Sequence, residues 1–250
     1  MQRGELLSHL DEFLQAEMFR DYAPNGLQVE GRAEIFRILL GVSASRSLVE
    51  EAVSQKVDAI LVHHGWFWRG EPAPVVGLKR ERLAPLLAND INLIAYHLPL
   101  DAHPTVGNNA ELGRLLDLTV TARAGDYELL WVGEPKRGEM SVAAFAERVE
   151  AVLGRRPLVL GPTERTVRRV AWCSGAAQGE IGLAAALGAD LFLSGEVSER
   201  TTYEAEELGV TYLAAGHHAT EQFGIRALGR HLAERWPELD LRFFDTKNPV

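Results

Sequence analysis

The stretch Val57-Asp58-Ala59-Ile60-Leu61-Val62-His63-His64 decides the fold. It is a short apolar run that ends abruptly in two histidines. Segments with helical patterning flank it, at residues 48–55 and 80–89. Working outward, 35–42 reads as the preceding strand, 91–96 as the following one, and 109–116 as a further helix. Strands separated by helices of this size predict a mainly parallel sheet with helices packed on it.

The same rhythm returns later in the chain. Residues 167–173, 191–193, 210–214 and 239–244 read as strands, and 180–187, 199–208 and 221–234 as helices. Without a gap, Arg37 to His64 lies over Arg169 to Glu196, so Ala189-Asp190-Leu191-Phe192-Leu193-Ser194-Gly195-Glu196 repeats the quoted stretch. Asp58 then falls on Asp190 and His64 on Glu196. A second correspondence sets His97 and Asp101 over His217 and Glu221, each a histidine after a short strand with a carboxylate four residues on. The expected architecture is α/β, with two similar, interleaved halves of mainly parallel strands. The halves are expected at 1–125 and 126–250. A connecting region at about 120–166, broken by Gly133, Pro135, Gly138, Gly154, Pro157, Gly161 and Pro162, carries one expected helix at 141–153.

Composition narrows the function. Among 250 residues, 46% are hydrophobic and 24% charged, as in ordinary globular proteins. The formal net charge of −9 argues against binding a nucleic-acid backbone, which needs a surplus of Lys and Arg. With one cysteine, Cys173, neither an intrachain disulfide nor a cysteine metal cluster is available. Its apolar neighbours Val170-Ala171-Trp172 predict a small buried hydrophobe rather than a nucleophile. Near the N-terminus, Leu6, Leu7, Leu10, Phe13 and Leu14 recur at helical spacing and predict an amphipathic helix, not a signal peptide. No apolar run is long enough to cross a bilayer, so no membrane partner is expected and the expected location is the cytoplasm.

Of the eight histidines, all but His9 and His231 fall into three short stretches: His63-His64, His97 with His103, and His217-His218. Asp101 and Glu221 accompany the second and third. All three stretches stand at carboxyl ends of predicted strands, where open α/β sheets form ligand crevices. Imidazole nitrogens mixed with carboxylate oxygens suit zinc, manganese, iron, cobalt or nickel better than magnesium or calcium. So many donors exceed what one open tetrahedral ion uses, which favours two divalent ions at strand ends between the halves. A turn at Gly65 lets both His63 and His64 reach one crevice. Glu196, at the repeat position of His64, is a candidate acid/base group, although a cap for the following helix is an equal reading.

Val62-His63-His64-Gly65-Trp66-Phe67-Trp68, Tyr96-His97-Leu98-Pro99-Leu100-Asp101-Ala102-His103 and Gly216-His217-His218-Ala219-Thr220-Glu221 resemble the YbgI-like family of GTP cyclohydrolase I type 2 homologues. Asp21-Tyr22-Ala23-Pro24-Asn25-Gly26-Leu27-Gln28-Val29-Glu30-Gly31 and Asp90-Ile91-Asn92-Leu93 extend the likeness over nearly the whole chain, in its short form without a large central insertion. The resemblance implies a toroidal homohexamer with dinuclear metal sites facing an internal cavity. Carried over position by position, it implies His63, His64, Asp101, His217 and Glu221 as metal ligands and His97 as a ligand or close neighbour. It also implies a metal-dependent hydrolase of GTP cyclohydrolase type acting on a nucleotide or related heterocycle, with His97 or Glu196 moving protons. The alternative is a metal-stabilised ring that serves as a scaffold or regulatory interaction protein without catalysis.

Four further expectations concern other aromatic and imidazole groups. His218 is expected to point away from the metals, and His9 and His231 to be packing or solvated residues. His103 is a weaker candidate for lining the cavity. Trp66, Phe67 and Trp68 are expected to pack in the core or at a subunit interface, with stacking on a substrate base as the sharper alternative.

Overall fold

The quoted run forms a central strand of a five-stranded sheet, and each face of that strand is covered. The computed structural model describes all 250 residues, in two compact units. The first comprises Met1–Val106 and Gly224–Lys247. Its elements are α1 (Arg3–Leu14), β1 (Gly26–Val29), β2 (Arg37–Ser43), α2 (Arg46–Gln55), β3 (Ala59–His64), α3 (Gly77–Ala88), β4 (Asn92–Ala95) and α4 (Leu98–Ala102). The sheet order is β1-β4-β3-β2, and a late strand pairs parallel to β2 on its far side. β2, β3 and β4 run parallel, whereas β1 runs antiparallel to β4.

Alternation within each strand explains the unbroken apolar runs. Ile38, Leu40 and Val42 of β2 face Leu6, Leu10 and Leu14 of α1 with Ile225, Leu228 and Leu232. Leu39 of β2 faces the other way, onto Leu48, Val49 and Ala52 of α2 and Leu83 and Leu86 of α3. Helices on both faces leave no wet side, so the middles of these strands are apolar and their polar residues fall at the ends.

The second unit comprises Gly107–Phe223 and Asn248–Val250. It contains α5 (Asn108–Leu115), β5 (Leu118–Ala124), β6 (Leu130–Pro135), β7 (Met140–Ser141), α6 (Val142–Leu153), β8 (Leu158–Leu160), β9 (Thr166–Val167), β10 (Val170–Trp172), α7 (Ile181–Ala186), β11 (Leu191–Ser194), α8 (Glu199–Leu208) and β12 (Thr211–Ala214). The chain continues through α9 (His217–Arg235), whose residues are divided between the units, to β13 (Asp240–Phe243), the late strand beside β2. The second sheet is ordered β5-β6-β10-β11-β12-β8. Again three strands run parallel, β10 to β12, and an earlier strand, β8, lies antiparallel on the third. Cys173 is buried with Ala171 and Phe192 against α7 and α8, as a small hydrophobe would be.

One polar device is built twice and supports the internal repeat. Asp58 Oδ2 accepts from the backbone N–H of Phe36 (2.8 Å) and Arg37 (2.7 Å), and Oδ1 accepts from Arg32 (2.9 Å). Asp190 Oδ2 accepts from the N–H of Arg168 (2.8 Å) and Arg169 (2.9 Å), and Oδ1 from Arg165 (2.8 Å). Each carboxylate thereby fixes the entry to the first parallel strand of its sheet.

Two local expectations need correction. The tract at 120–166 is more ordered than its glycines and prolines suggest, since β5 and β6 form an antiparallel pair and β8 closes the sheet edge. β5 is largely exposed, so its Thr- and Arg-containing sequence lacks a burial pattern. The last helix begins at His217, a full turn before the expected Glu221, because its polar first turn shows no apolar periodicity. No helix is long and apolar enough to cross a membrane.

Candidate metal centre

In the first unit the strand ends gather three histidines and a carboxylate. His63 and His64 close β3, and the register pairs His64 with Ser43 at the end of β2. His97 follows β4, and Asp101 lies one turn on, in α4. One ligand atom from each of His63, His64 and His97 lies within 4.8 Å of the others. Asp101, itself buried, brings Oδ1 to 3.5 Å from His63 Nε2.

The imidazoles are held from behind. His63 Nδ1 donates to the carbonyl of Tyr96 at 3.0 Å, and His97 Nδ1 donates to Asp21 Oδ1 at 2.7 Å. His64 Nδ1 shares a hydrogen bond with the Ser43 hydroxyl at 3.0 Å. The Asp21 side chain is 2% exposed and also accepts from Asn25 Nδ2 (3.0 Å) and the Leu98 N–H (2.9 Å). Burial alone would raise its pKa, but the hydrogen bond and charge of His97, with Asn25 and Leu98, hold it below the usual value.

In the second unit His217 opens α9 and Glu221 lies one turn later on the same face. His217 Nδ1 donates to Glu196 Oε1 at 2.7 Å, and Nε2 stands 3.0 Å from Glu221 Oε2. Burial lowers the imidazole pKa, but Glu221 and then Glu196 outweigh it and push it up to about 9. An imidazolium between two carboxylates is the state that a cation at Nε2 would replace. Glu196 therefore reaches His217, while the cap of α8 is Ser198, paired with Thr201.

The backbone makes room for these groups. Gly175 has φ +64°, and a Cβ there would fall 2.1 Å from Glu221 Oε1 and 3.1 Å from His217 Nε2. A Cβ on Gly195 would fall 2.7 Å from the His217 Cα. Only glycine leaves this cradle open.

The donor set fits a borderline divalent ion. In all four histidines Nδ1 is engaged by an oxygen, so Nε2 is the nitrogen that would meet a cation, the usual way a ligating imidazole is oriented. Within their own units, the structure brings together His63, His64, His97 and Asp101, and separately His217, Glu221 and Glu196. His103 has a local role: its Nδ1 accepts from the N–H of Thr105 and Val106, and its ring packs on Phe13 at 4.4 Å. His218 is buried, and its backbone N–H donates to the Val250 carbonyl at 2.9 Å. His9 and His231 pack together, as expected. Ser43, Asn25 and Gly175 do not stand out as site residues in the sequence, because their partners are distant along the chain. Asp21 and Asn25 do lie in the quoted motif near the N-terminus, which is the available signal.

A curated protein of Allochromatium vinosum named "GTP cyclohydrolase 1 type 2 homolog" is 52% identical over 249 residues, covering 98% of this chain and 96% of that protein. One of the same name from Escherichia coli K12 is 49% identical, with 100% of each covered. A solved structure described as "protein ybgI, unknown function" superposes with a TM-score of 0.95 at 48% identity, with 100% of both chains covered. The model of the Duf34/NIF3 (NGG1p interacting factor 3) family matches residues 1–249, and the chain belongs to that family.

Proposed function

We propose that His63, His64, Asp101, His217 and Glu221 hold two divalent metal ions, and that the protein is a metal-dependent hydrolase of a nucleotide or related heterocycle. The observation that carries this reading is the engagement of Nδ1 in His63, His64 and His217, which turns their Nε2 atoms to the cations. Zinc, manganese, iron, cobalt and nickel all match this mixture of nitrogen and carboxylate donors. When bound, such a pair supplies Lewis-acid polarisation and activation of water.

The chain's own groups handle protons and position. His97, anchored through Nδ1 on Asp21, presents Nε2 as an acid/base group. Glu196, with its side chain 37% exposed, can exchange protons with solvent while it orients His217. The relatives' names suggest GTP as a substrate. Addition of water at C8 of the guanine ring, ring opening, and a second hydrolysis would then release formate. A toroidal homohexamer and a cytoplasmic location belong to the same proposal.

The test is turnover of GTP and other nucleotides by purified, metal-loaded protein. Turnover abolished by His64→Ala supports the reading. Its absence at full metal occupancy would contradict it and favour a metal-stabilised scaffold, in keeping with a family described as an interacting factor.

A further inference from the structure

Aromatic rings from two loops crowd His97. The Trp68 indole lies 5.0 Å from the His97 ring, nearly perpendicular to it, and 6.0 Å from the His64 ring. The Tyr22 ring lies 6.4 Å from that of His97. The loops are tied together: the Arg69 N–H donates to the Tyr22 carbonyl at 2.7 Å, and its Nη2 donates to the Asp21 carbonyl at 3.0 Å. The same guanidinium stands 5.9 Å over the Tyr22 ring.

Core packing does not account for these three side chains. That role falls to Trp66, which is buried and donates Nε1 to the Ala44 carbonyl at 2.8 Å. Trp68 is only half-buried, Tyr22 is 58% exposed, and Arg69 is exposed. Arg69 engages carbonyl oxygen and a ring, so its charge is directed to no carboxylate in a chain of net charge −9. Exposed aromatics beside an exposed arginine make a surface for a flat, anionic ligand.

We infer that Trp68, Tyr22 and Arg69 form a nucleotide-binding platform, with the base stacked on the aromatic rings and a phosphate on Arg69. This deepens the hydrolase reading, on which it rests for its place beside His64 and His97. Binding, rather than turnover, is what it predicts.

The experiment measures binding of GTP and guanosine to the full chain by calorimetry, with metal content and melting temperature measured alongside. Trp68→Ala weakens both ligands by about tenfold or more, and Trp68→Phe restores most of the loss. Arg69→Gln weakens GTP by about tenfold and leaves guanosine unchanged. If Trp68→Ala loses metal or unfolds, Tyr22→Leu on the exposed loop takes its place and weakens both ligands. The platform is overturned if wild-type protein binds neither ligand, or if well-folded variants bind both as wild type does. Binding that depends on Trp68 without any turnover sinks the hydrolase reading alone.

Discussion

Gly175 and Glu221 occupy adjoining space so closely that a single methyl group on the glycine would fall 2.1 Å from a carboxylate oxygen. Gly175→Ala must therefore displace Glu221, and it also places a side chain at φ +64°. The expected result is a loss of about 1–3 kcal/mol in stability together with loss of bound metal. Chemical denaturation and elemental analysis measure the two. An alanine variant with wild-type metal content would refute the proposed role of Glu221.

Asp21 accepts hydrogen bonds from His97, Asn25 and Leu98 through a carboxylate that is almost fully buried. Asp21→Ala strands these donors and should cost about 3–5 kcal/mol. Because its pKa is depressed in the fold, its contribution is present above the unfolded value of 3.8 and is lost as pH falls through the folded one. Urea titrations of wild type and variant should converge in strong acid. A gap that stays constant into acid would contradict this account.

The duplicated clamps make a paired prediction. Asp58→Ala and Asp190→Ala should each cost roughly 2–4 kcal/mol, since each removes the acceptor for two backbone N–H groups and an arginine. Asp58 should cost more, its side chain being 8% exposed against 20% for Asp190. Equal or reversed losses would show that burial does not set the cost.

His9 Nε2 and His231 Nε2 stand 2.9 Å apart, and Phe13 stacks on His231 at 3.9 Å. Burial first lowers the pKa of both. For His9, Arg235 and His231 add to this and Glu12 opposes it; for His231, Glu234 opposes and Arg235 adds. The unfolded chain takes up protons first, so this contribution is full above the unfolded value of 6.5 and is lost as pH falls through the folded values. Melting temperatures between about pH 8 and about pH 5 should fall less steeply for His231→Phe than for wild type. Parallel slopes would disprove the coupling.

Particular residues mark how far the sequence can be read. The apolar runs of β2 to β4 and β10 to β12 are visible because both faces of those strands are buried. β5 is hidden in the sequence because its middle residues are exposed. The histidine stretches announce themselves by type and by their place at strand ends. The groups that aim them, such as Ser43 behind His64, lie on neighbouring strands, and only tertiary register brings them into reach. Glu196 supports two readings in the sequence, and its bond to His217 separates it from the Ser198 cap.

Elemental analysis of protein purified without chelators tests the central claim most directly. About two divalent transition-metal ions per chain are expected in wild type, and a clear deficit in both His64→Ala and Glu221→Ala. Wild-type protein without stoichiometric metal, or variants that retain the full amount, would contradict it.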